Sequence, residues 1–131
     1  MNELIFKLIA IKETAKGIHY TCTGNNAFAV HLLADRVADG IDNFIDSCKE
    51  SILGADTYPL SSKEYLTTAI NLIPDIIAGK TKENLFKLYS LIDDTLQYIN
   101  SMEIDKADEN LVGNIAEKLK NNKGLINLQI S

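Results

Sequence analysis

The chain has 131 residues, of which 46% are hydrophobic and 24% charged, with a net charge of −5. That suits one globular domain over residues 1–131, with a core that needs no disulfide or zinc staple. Its acidity argues against nucleic acid or an anionic membrane surface as the main partner.

Apolar residues three and four apart predict helices along most of the chain. The first covers roughly residues 2–20, with Leu4, Ile5, Leu8, Ile9, Ile11 and Ala15 as its stripe. Glu3 and Lys7 interrupt its apolar start, and no small-residue cleavage site follows, so no signal peptide is expected. No apolar run approaches the ~18 residues of a membrane span. Cys22 and Cys48 are too few for a disulfide framework or a zinc knuckle, and a reducing cytoplasm is the expected compartment. Gly24-Asn25-Asn26 marks a turn.

The second helix is the longest, an unbroken run over roughly residues 25–53, with Asn25 or Asn26 as N-cap and Gly54 as its stop. A loop follows through Pro59, then a short helix over roughly residues 62–72, capped by Ser61 or Ser62 and ended by Pro74. The third long helix spans roughly residues 81–102 with Thr81 as N-cap, and the fourth roughly residues 107–121. The apolar tail at residues 125–130 either continues that helix or packs as an extended end. Four long helices with one short extra piece read as an all-α four-helix bundle.

The second helix carries the chemistry. On a helical wheel, Asp35, Asp39, Asp42, Asp46 and Glu50 all fall within about 100° of His31. The opposite arc is apolar, and holds Val37, Ile41, Ile45, Cys48 and Ile52. A solvated acidic face is one reading. Like charges at this spacing repel, however, and a histidine among carboxylates suits iron, manganese or zinc. The other histidine, His19, ends the first helix, and the turn at Gly24 lets it face His31. A histidine at a helix C-terminus also suits the macrodipole, with no ligand role. Cys22 reads as a passive neighbour of His19, and Cys48 as core.

The stretch from His19 through Tyr20, Gly24 and Phe28 to His31 resembles the Dps family, the DNA-protecting mini-ferritins. The two histidines stand twelve residues apart, with glycine and phenylalanine between them in the family's order. Asp35, Asp46 and Glu50 fill the remaining positions that match the family's ferroxidase ligands. The resemblance implies a ferritin-like bundle that binds iron between subunits. His19, His31 and Asp35 come from one chain, and Asp46 and Glu50 from its two-fold partner. It also implies a larger cage such as a dodecamer. The helix geometry agrees, because His31/Asp35 and Asp46/Glu50 centre about 22 Å apart along one helix, too far to share a metal within a chain. An antiparallel partner helix crossing near Gly40 makes two identical sites. Tyr20 stands where the family usually has tryptophan, and no basic tail precedes the first helix, so no DNA binding is expected.

The leading expectation is thus a ferroxidase: Fe²⁺ is the substrate, peroxide or oxygen the oxidant, and Fe³⁺ the stored or detoxified product. Asp39 and Asp42 are auxiliary candidates. The alternative is a non-catalytic, metal-binding helical scaffold or assembly protein. The di-iron site inside a single bundle is excluded, since it needs Glu-x-x-His, and Lys16 and Phe28 stand three residues before the histidines.

Overall fold

In the computed structural model, which describes all of residues 1–131, the chain is all-helical, with no strand. The elements are α1 (Asn2–Thr21), α2 (Ala27–Ala38), α3 (Ile41–Gly54), α4 (Ser62–Ile70), α5 (Thr81–Ser101) and α6 (Glu109–Ile130), with one 3-10 turn at Lys106–Asp108. No helix is long and apolar enough to cross a membrane.

α1 is the central element. Leu4, Ile5, Leu8, Ile11 and Ile18 are completely buried, and α1 packs against α2, α3, α4 and α5. α6 covers the other side, against α5, α2 and α3. Side-chain ties show that neighbours run antiparallel. Lys7 lies over the Tyr98 ring at one end of α1 and α5, while Thr23 and Thr81 exchange hydrogen bonds at the other. Lys123 of α6 donates to Asp93 of α5 at 2.6 Å, and this ammonium holds the Asp93 carboxyl below the usual carboxylate range.

Between α3 and α5 the chain returns along the bundle through α4. Of the two expected candidates, Ser61 caps α4: the Glu64 N–H donates to Ser61 Oγ at 3.1 Å, while Ser61 Oγ–H donates to the Glu64 carboxylate. Tyr65 anchors this segment. It is 1% exposed, and its hydroxyl donates to Asn2 Oδ1 at 2.7 Å and accepts the Leu60 N–H at 3.1 Å. Asn84, also buried, holds the residues before α5 by bonding both the N–H and the carbonyl of Ile77.

Several boundaries differ from the sequence expectation. The long second helix is broken into α2 and α3 at Gly40, whose φ of +78° no continuous helix contains. Glycine takes this left-handed conformation without the Cβ clash other residues meet. Neither Asn25 nor Asn26 caps α2 through its side chain, and α3 runs through Gly54 to a cap at Ala55. α4 ends at Ile70, before Pro74 acts. Lys80, not Thr81, occupies the cap position of α5, because the Thr81 hydroxyl is committed to Thr23. The apolar tail continues α6 to Ile130, burying Ile126.

Candidate metal centre

The turn at Gly24, which has φ of +98°, sends α2 back along α1. The last turn of α1 thereby meets the first turns of α2. His19 and His31 stack there, with ring centroids 3.5 Å apart and planes 16° from parallel. Each ring is tied to the other residue's backbone: His19 Nδ1–H donates to the His31 carbonyl at 2.7 Å, and His31 Nδ1–H donates to the His19 carbonyl at 2.6 Å. A carbonyl only accepts, so both Nδ1 atoms carry a proton, and Nε2 is the ring atom left to act as a donor to a metal. A reciprocal lock of this kind orients two imidazole donors side by side, as supporting hydrogen bonds do for metal-ligating histidines.

The pair opens onto a shallow cleft of about 420 Å³, lined also by Tyr20, Cys22, Ala27 and Phe28. Tyr20 sits edge-on to His19, with centroids 4.7 Å apart, and Phe28 lies roughly parallel to His31 at 6.3 Å. Both aromatics are largely uncovered, at 78% and 73% exposed, and so form an apolar rim around two polar nitrogens.

The carboxylates are placed differently. Asp35, Asp39, Asp42, Asp46 and Glu50 are all exposed, while Val37, Ile41, Ile45, Cys48 and Ile52 opposite them are buried. The division between an acidic and an apolar face therefore holds, although the break at Gly40 means that one wheel no longer describes both halves. Within the chain, no three histidine, cysteine or carboxylate side chains gather closely enough to hold a metal ion. The structure brings His19 and His31 together, but not with Asp35, Asp46 or Glu50.

Two lysines enter this region from other helices. Lys12 of α1 bonds Asp42 Oδ1 at 2.9 Å and also reaches Glu13, at 3.6 Å. It shares a groove with Asp46 and Lys49. Asp42 thus already has a counter-charge, which weakens its candidacy as an auxiliary ligand. Lys118 of α6 donates to the Arg36 carbonyl at 2.8 Å, in the field of Asp39. Neither lysine is visible from spacing along the second segment, because each reaches it only through tertiary packing.

The cysteines divide as expected for one core and one site neighbour. Cys48 is completely buried, and burial pushes its thiol up to about 11. Cys22 is half-buried beside His19, and its thiol donates to the Ala27 carbonyl at 3.2 Å. A thiol reagent at about pH 8 should therefore label one cysteine per native chain, Cys22, and a second only on unfolding. Rapid labelling of both would mean that the α3 core is open.

No protein-family model matches the chain, and a search among curated proteins finds no match.

Proposed function

We propose that the chain is a ferroxidase of the mini-ferritin kind, a ferritin-like bundle whose metal sites are completed between two copies. The observation that carries this reading is the locked histidine pair, two stacked imidazoles at a surface cleft whose Nδ1 atoms are committed to backbone and whose Nε2 atoms are not. Nitrogen donors alone favour copper or zinc; adding carboxylates moves the site toward iron, and most toward the hard ferric ion. Asp46 and Glu50, exposed on α3, supply those oxygens from a two-fold partner, with Asp35 from the histidines' own chain. Fe²⁺ is the substrate, and each ion gives one electron to peroxide or oxygen. The aromatic rim of Tyr20 and Phe28 is apolar surface for the partner to cover.

The test is aerobic Fe²⁺ oxidation, followed at the ferric absorbance, together with the mass and iron content of the native particle. Oxidation faster than the protein-free blank, with iron retained on an oligomer, supports the reading. The second reading, a metal-bound scaffold, draws on the Lys12–Asp42 pair, which already neutralises part of the acidic stripe. A dimer that binds metal but never turns over favours the scaffold.

A further inference from the structure

The break at Gly40 removes a donor from the backbone ladder. In an unbroken helix the Arg36 carbonyl accepts the N–H four residues on, that of Gly40. Here Asp39 is extended, with ψ of 133°, and the last bond of α2 runs from the Asp39 N–H to the Asp35 carbonyl at 2.9 Å. The Arg36 carbonyl instead accepts from Lys118 Nζ at 2.8 Å. Lys118 is half-buried; desolvation lowers its pKa, while the charge of Asp39 acts in the opposite direction and favours the ammonium. A Cβ at position 40 would meet nothing within 4 Å, so a side chain there is opposed by the φ of +78° and not by a clash with other elements. The buried residues keep helical spacing on both sides of the break, from Val30 through Ala34 and Val37 to Ile41, Ile45 and Cys48. The same residues therefore suit one continuous helix, and the choice turns on Gly40 and on the partner of the Arg36 carbonyl.

We propose that Lys118 is a positioning residue for the candidate metal centre, a latch that holds the second segment in its broken form. It thereby sets the angle between the His31–Asp35 half and the Asp46–Glu50 half. This role rests on the proposed iron chemistry, since the angle matters only where both halves serve paired sites. A charge-assisted hydrogen bond to this exposed carbonyl biases the two forms by up to about tenfold.

Co²⁺, read by its visible absorption, is the probe. Lys118→Met should weaken Co²⁺ binding about tenfold, and Lys118→Arg, which retains a donor, should restore it to within about threefold. Amide exchange at residue 40 reads the latch without metal. Gly40→Ala raises the cost of the left-handed turn. In that background, adding Lys118→Met should raise protection of the residue-40 amide about tenfold, as its N–H recovers the Arg36 carbonyl. A lysine that served only stability would lower protection throughout α2 and α3 when removed. Unchanged protection at residue 40, or Co²⁺ affinity in Lys118→Met equal to wild type, overturns the latch. Wild-type protein that binds no Co²⁺ overturns the iron chemistry, and the latch's role in it, so the two failures appear in different proteins.

Discussion

Co-assembling a His31→Ala chain with a Glu50→Ala chain should recover about a quarter of wild-type Fe²⁺ oxidation, although each variant alone loses about tenfold or more. In an isologous dimer each site takes histidines from one chain and Glu50 from the other. Random assortment makes about half of the dimers mixed. In a mixed dimer, one site carries both lesions and the other carries neither. One intact site in two, in half of the dimers, gives the quarter. Sites built within one chain give no recovery at any mixing ratio, because every site then keeps a lesion. Refolding the two variants together, then measuring the ferric absorbance, separates these outcomes. His31→Ala removes the ring stacked on His19 but keeps the residue-31 carbonyl to which the His19 ring donates, so His19 stays oriented. A His19→Ala/His31→Ala double variant should accordingly lose more oxidation than His31→Ala alone.

Tyr65→Ala should destabilise the fold by about 3–5 kcal/mol, the range for truncating a buried aromatic. Against a total of roughly 5–15 kcal/mol, that is a large share. The ring is 1% exposed and packs against Phe6, with centroids 5.7 Å apart. Its hydroxyl also joins Asn2 at the start of α1 to Leu60 before α4. Tyr65→Phe keeps the ring and leaves those two partners unsatisfied, at about 1–2 kcal/mol. Thermal melts should place the midpoints in the order wild type, Tyr65→Phe, Tyr65→Ala, with about 3–5 °C per kcal/mol. Equal midpoints for Tyr65→Phe and wild type would mean that water replaces both bonds without loss.

The parts of this fold that the sequence revealed are those set by local rules. Apolar spacing marked every long helix, and the Gly24 turn with a histidine on either side placed His19 against His31. The Ser61–Glu64 cap follows from residue types three apart. The break at Gly40 escaped because helical periodicity continues on both sides of it, and because a glycine permits a left-handed turn without demanding one. The proposed latch comes from elsewhere in the chain, through Lys118, far from Gly40 in sequence. The Lys12–Asp42 pair escaped for the same reason: its partners lie on different helices and meet only once the hairpin has closed. The acidic stripe was legible as a face. Its function was not, because one chain brings no third ligand to the histidines.

The histidine lock spans only twelve residues of chain. A loop that short closes quickly and at low entropic cost, so this hairpin is among the first contacts available to a folding chain. The carboxylates proposed to complete the site arrive only at the encounter of two folded chains, a slower step that depends on concentration. If the site is completed in that way, a newly made subunit passes through an interval in which it offers nitrogen without the second chain's oxygen. During that interval the order of metal affinities favours copper and zinc over iron. Assembly rate thus becomes a determinant of metal choice, and dilute chains exposed to zinc before dimerising should carry the wrong ion into the finished particle.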